Sequence, residues 1–201
     1  MIKKQKPYKR LKEKVRTAKK RKNSSTRWLQ RQLNDPYVKQ SQAEGRRSRA
    51  AYKLIQIDEK FSLLEPNQTI LDLGAAPGSW SEVAMGISNT KVIAIDKLIM
   101  EPISGVEILQ LDLSDEKSFQ ELKSLLSGKV HLVLSDMASE TTGHKSTDHI
   151  RTQELAELAA DYAINFLKIG GSFCSKVFQG GTHKTLLELL KKNFDTVKHY
   201  K

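Results

Sequence analysis

A glycine-rich turn, three acids and a lysine stand at successive apolar runs of this chain. Leu71-Asp72-Leu73-Gly74-Ala75-Ala76-Pro77-Gly78-Ser79-Trp80 closes the first run. Asp96 follows Val92-Ile93-Ala94-Ile95, Asp112 follows the run from Val106 to Leu109, and Asp136 sits in Ser135-Asp136-Met137-Ala138 at the end of the fourth. Lys176 falls inside the fifth, beside Cys174 and Val177. Glycine lacks the Cβ that blocks close approach, so such a turn lets backbone meet a ligand. Its spacing, G-A-A-P-G, is neither the G-x-G-x-x-G of dinucleotide sites nor a phosphate loop with its lysine. Asp96 lies 22 residues beyond Gly74, where an acid holds a ribose diol in doubly wound folds. The set suits a nucleoside-bearing ligand without a pyrophosphate.

Each residue taken singly has a plainer reading. Asp96 and Asp112 are acceptable strand-end or turn residues, Asp136 an acceptable cap, and Lys176 can reach solvent along its own stem. A lysine buried among apolar neighbours, however, needs a carboxylate partner. Acids after three successive strands and a lysine in the next point to one site at the carboxyl ends of a parallel sheet.

The pattern beyond Pro66 supplies that sheet. Strands are expected over 69–73, 91–95, 106–109, 130–135, 171–178 and 194–200, and helices over 79–87, 115–126, 147–168 and 182–192. Leu155, Leu158, Tyr162 and Phe166 mark the long helix by their spacing of three and four, with Gly170-Gly171 as its stop. Strand–helix alternation implies an α/β fold with a mostly parallel sheet covered on both faces. Upstream, a helix is expected over 25–33, ending near Asp35-Pro36, and another over 48–64. The expected organisation is a basic leader without fixed structure over 1–22, a helical segment over 23–65 packed on the core, and the core over 66–201.

Charge divides the chain. Residues 1–49 carry 18 Lys/Arg against Glu13, Asp35 and Glu44, a net +15, whereas residues 50–201 sum to −4. The surplus therefore sits in one segment, which favours a polyanionic partner bound there; a solubilising tail is the plainer alternative for Lys3 to Lys22. Tyr8, Trp28 and Tyr37 lie among these charges and suit either base stacking or packing. A single cysteine, Cys174, excludes an intrachain disulfide and a Cys-rich zinc site, and suits a reducing compartment. His131, His144, His149, His183 and His199 show no ligand spacing, so no metal is expected. The loop from Gly143 to His149 either lines a substrate entrance or caps the long helix. No apolar run is long enough to span a bilayer, and the chain is expected to be cytoplasmic.

Assembled, these segments resemble the FtsJ-like family of large-subunit ribosomal RNA (23S) uridine ribose 2'-O-methyltransferases. The resemblance runs from about Ser24 onward and is carried by Trp28 to Tyr37, Arg47-Ser48-Arg49-Ala50-Ala51-Tyr52-Lys53-Leu54, Asp72 to Ser81, Ser135-Asp136-Met137-Ala138 and Ser175-Lys176-Val177-Phe178. It implies a Rossmann-like methyltransferase fold using S-adenosyl-L-methionine on ribosomal RNA within the large subunit, as a monomer. Gly78, Trp80, Asp96, Asp112 and Asp136 match the family's cofactor-binding positions. Lys53, Asp136 and Lys176 match three of its four Lys-Asp-Lys-Glu catalytic residues, with Lys176 as the base. Ser79 stands where the family usually has a second glycine. The family's glutamate and last strand come after Lys201, so the expectation is a core lacking its last strand, with an RNA-binding pseudoenzyme as the alternative. A nicotinamide oxidoreductase is a more distant alternative, opposed by G-A-A-P-G.

Overall fold

The computed structural model describes residues 13–20, 23–126, 128–138, 145–177 and 184–200. They fall into two compact units divided between Arg49 and Ala50.

In the first unit, α1 (Asn23–Leu33) is followed almost at once by α2 (Pro36–Ala43). The first helix ends just before Asp35-Pro36, as expected, and Pro36 also begins a second helix, which was not expected. Asp35 is its N-cap, accepting from the Tyr37 N–H at 2.9 Å, and proline at the first helical position loses no hydrogen bond. Residues 13–20, expected to lack structure, include a 3-10 turn at Ala18–Lys20. Glu13 joins them to α1: its N–H donates to Asn34 Oδ1 at 2.9 Å and its carbonyl accepts from Gln30 and Asn34. Surface ion pairs, Lys39 with Glu13 and Arg49 with Asp35, add little to stability when exposed. The leader's residues 1–12 and the Trp28 side chain lie outside the described residues.

The second unit is built on β1 (Thr69–Leu73), β2 (Lys91–Asp96), β3 (Val106–Gln110), β4 (Val130–Ser135) and β5 (Leu167–Ser175), with α3 (Ala51–Phe61), α4 (Ser79–Met85), α5 (Glu116–Leu125), α6 (Lys145–Phe166) and α7 (Lys184–Asn193). The strands form one sheet, ordered β3-β2-β1-β4-β5, and every pairing is parallel. Strand order reverses at β1, so the carboxyl ends of β1 and β4 form the switch point, where open parallel sheets have their ligand-binding crevice.

Both faces are covered, as strands with near-continuous apolar runs require. Leu71, Leu73, Ile93, Ile95 and Val133 pack with Leu122 of α5 and with Ala159, Tyr162, Ala163 and Phe166 of α6. Alternate residues Ile70, Val92, Leu132 and Leu134 pack on the opposite side with Leu54 of α3 and with Trp80 and Ala84 of α4. Each large side chain so buried contributes roughly 1.5–3 kcal/mol. The buried Tyr162 hydroxyl is satisfied by donating to the Leu113 carbonyl at 3.0 Å. Among the described residues no helix is long and apolar enough to cross a membrane.

Two expectations are corrected. Gly170-Gly171 does not stop the long helix, which ends at Phe166 and passes directly into β5. The pair lies in an irregularity of the ladder, where Val130 faces Leu167 but Leu132 faces Ser172. A Cβ on Gly171 would sit 2.9 Å from the Lys168 carbonyl oxygen and 3.0 Å from that of His131, so only glycine fits that crowded bend. The segment 194–200 is not a strand. It is mostly exposed, with Phe194 and Val197 half-buried. Phe194 stacks on Phe173 and Tyr200 meets Phe61 edge-on, at centroid distances of 6.1 and 5.7 Å.

Candidate active site

The glycine turn leaves β1 and is fastened to β2. Gly74 and Ala75 donate to the Ile95 carbonyl at 2.8 and 3.0 Å, and Ala76 donates to Asp96 Oδ2 at 2.9 Å. Gly74 has φ +68°, and a Cβ there would lie 2.2 Å from Met137 Cγ. Gly78, at φ +98°, caps α4. Both positive angles are ones that side chains rarely tolerate, so the turn's residue types follow from its path. Asp96 also accepts from the Leu98 N–H at 2.8 Å through its other oxygen. A carboxylate has about four lone-pair sites; half-exposed Asp96 thus keeps capacity for a pair of vicinal hydroxyls. No cation stands in the turn 74–80, so the donor set fits a ribose better than a phosphate.

Across the crevice, two lysines converge on one carboxylate. Lys176 Nζ lies 2.9 Å from Asp136 Oδ1 and donates to the Asp136 carbonyl at 2.8 Å. Lys53 Nζ, from α3, lies 3.4 Å from the same Oδ1. Lys176 is not inside the fifth strand, as expected, but one residue past its end. Its N–H still donates to the Ser135 carbonyl at 2.8 Å, which continues the ladder to the rim. The carboxylate partner that a half-buried lysine requires is therefore present. Charge-assisted bonds of this kind are stronger than neutral ones, and they hold the Lys176 amine at the mouth of the crevice.

Other expected residues are placed differently. The Trp80 indole is 4% exposed and donates to the Ala50 carbonyl at 3.0 Å; it is a core side chain, and what it offers the turn is backbone. Asp112 is exposed beyond β3, accepting from the Ser114 N–H and hydroxyl at 3.0 and 2.6 Å, and these bonds hold its carboxyl below the usual range. Cys174 is half-buried behind Asp136, and burial with that neighbouring charge pushes its thiol up to about 11. The loop residues 139–144, Phe178 and His183 lie outside the described residues.

One residue escaped the sequence reading. Asp72 is 1% exposed in β1, on the face that holds Ile70, and Ser81 of α4 donates its hydroxyl to Asp72 Oδ2 at 2.6 Å. An acid inside the run Thr69-Ile70-Leu71-Asp72-Leu73, at an inward position, was the available signal.

A parallel sheet with a glycine turn and a Lys-Asp-Lys cluster on either side of its switch point defines an α/β protein of the Rossmann-like class. Residues 46–201 match the FtsJ-like methyltransferase model, and the chain belongs to that family. It is 54% identical to the ribosomal RNA large subunit methyltransferase E of Maricaulis maris, over 94% of this chain and 68% of the relative. The proteins of that name from Sphingopyxis alaskensis and Rickettsia akari are 56% and 53% identical, each over 93% of this chain and over 82% and 86% of their own lengths. A crystal structure from Plasmodium falciparum, described as a ribosomal RNA methyltransferase, superposes with a TM-score of 0.70 at 35% identity, covering 77% of this chain and 91% of that one.

Proposed function

We propose that this protein transfers a methyl group from S-adenosyl-L-methionine to the ribose 2'-hydroxyl of a uridine in large-subunit ribosomal RNA, on the assembled subunit in the cytoplasm. The observation that carries the chemistry is the convergence of Lys53 and Lys176 on Asp136 across the crevice from the glycine turn. Gly78, the backbone at Trp80, Asp96, Asp112 and Asp136 would hold the cofactor, with Asp96 taking the ribose hydroxyls. When bound, that cofactor supplies a methyl on a sulfonium, and the carbon–sulfur pair returns to sulfur as the carbon–oxygen bond forms.

This chain's residues have two tasks, alignment and proton removal. A ribose hydroxyl is a poor nucleophile until its proton has somewhere to go. Lys176 takes that proton, and it must enter the step uncharged. Lys53 reaches the same carboxylate oxygen from α3. Asp136 fixes where both amines sit. The net +15 of residues 1–49 suits a phosphate-rich partner.

Large ribosomal subunits lacking the modification, incubated with the protein and radiolabelled S-adenosyl-L-methionine, test this. Label on a uridine 2'-oxygen is the expected result. Cofactor binding without incorporation into subunits or free ribosomal RNA would instead mark an RNA-binding protein without turnover.

A further inference from the structure

We propose that Asp72 is a specificity-determining residue of the cofactor site: buried beneath the glycine turn with Ser81 as its partner, it releases a proton when the cationic sulfonium cofactor binds and regains one when the neutral thioether product is left. The site thereby holds methyl-loaded cofactor more tightly than spent cofactor. This rests on the methyl-transfer reading above.

The geometry starts from the alternation of β1. Leu71 and Leu73 face the α5 and α6 layer, while Ile70 and Asp72 face α4. Asp72 thus occupies a core position, where an ionised carboxylate pays for lost hydration unless a cation answers it. Among the described residues none does. Lys53 and Lys176 are both directed at Asp136, and Lys97, just past β2, acts on Asp112. The charged groups that act on Asp72 are Asp136 at the end of β4 and Asp96 at the end of β2, and the Cys174 thiol of β5 packs against the same layer as Ile70. Burial pushes the Asp72 carboxyl up to about 7; the hydroxyl and N–H of Ser81 oppose this, and the charges of Asp136 and Asp96 reinforce it.

Such a group answers to ligand charge. A positive charge arriving in the crevice favours the carboxylate, so the proton leaves to solvent. S-adenosylmethionine carries one more positive charge than S-adenosylhomocysteine, its demethylated product. By linkage, the affinity for the charged form rises with pH through the Asp72 titration, and that for the neutral form changes less.

Calorimetry on the full chain with each compound, in buffers of different ionisation heat, reads this without turnover. Between pH 6 and 8 the affinity ratio of S-adenosylmethionine to S-adenosylhomocysteine is expected to rise about three- to tenfold, with proton release near neutrality on binding the former only. Asp72→Asn should flatten the ratio to within about 1.5-fold. Should that variant not fold, Ser81→Ala decides: losing the hydroxyl bond that favours the carboxylate moves the rise to higher pH. Equal proton release with both compounds, or an unmoved rise in Ser81→Ala, overturns the proposal. Failure to bind S-adenosylmethionine at any pH would instead overturn the methyl-transfer reading.

Discussion

The two walls of the crevice hold their polar groups by opposite means. On the β1–β2 side, Asp96 is gripped through backbone N–H groups of Ala76 and Leu98, and the turn itself is pinned to the Ile95 carbonyl. On the β4–β5 side, two long amines reach one carboxylate from separate elements, and Lys53 is half exposed. A group fixed by main chain is preorganised for recognition, because nothing must be ordered when the ligand arrives. A group at the end of a lysine stem has freedom to exchange one partner for another. The first wall therefore suits the proposed binding role, and the lysines of the second the proposed proton transfer.

The sharpest way to break this division is Lys176→Ala. Removing a general base lowers turnover by about 10²–10⁴-fold, while cofactor affinity should stay within about twofold because the first wall is untouched. A variant with near-normal turnover, measured as label incorporated per minute into subunits, would exclude the role. A smaller effect is expected from Lys53→Ala. Its amine is 3.4 Å from Asp136 and half exposed, so the loss should be on the order of tenfold in turnover. In an Asp136→Ala background the same change should cost far less, since residues sharing one partner are not additive. Additive losses would mean that Lys53 acts independently of the carboxylate.

The contrast also explains what could be read from residues alone. β1 and β4 were expected over the residues where they occur, because their apolar runs are short and bounded by turn residues. The turn was readable for the same reason: glycine at 74 and 78 answers to positive φ, a strictly local demand. Lys53 was not readable from pattern. It sits 83 residues from Asp136, and only family resemblance joined them before the fold did. The boundary at Asp35-Pro36 was readable but the helix beyond it was not, because proline both ends and begins helices and Asp35 decides which. The glycines at 170 and 171 were misread because a bulge and a helix stop use the same residue. Phe194 and Tyr200 looked like strand residues by type, although each makes a separate contact, with Phe173 and Phe61 respectively. Asp72 was passed over because a motif can be quoted whole without asking which face each member meets.

Within the binding wall, Asp96 and Asp112 offer the finest comparison, since both are strand-end acids with N–H partners but differ in exposure. Asp96 is half-buried and accepts once on each oxygen. Truncating it to alanine should weaken cofactor binding by about 10- to 100-fold, as expected for bonds to a charged group, and should also loosen the turn at Ala76. Asp112 is exposed and already bonded twice to Ser114 on one oxygen. Its truncation should cost only about two- to fivefold, because water replaces much of what an exposed acceptor supplies. Calorimetry with S-adenosyl-L-methionine on the two variants measures both. The order matters more than either value: if Asp112→Ala costs as much as Asp96→Ala, burial and main-chain anchoring do not set the strength of this wall, and the distinction between its two acids falls.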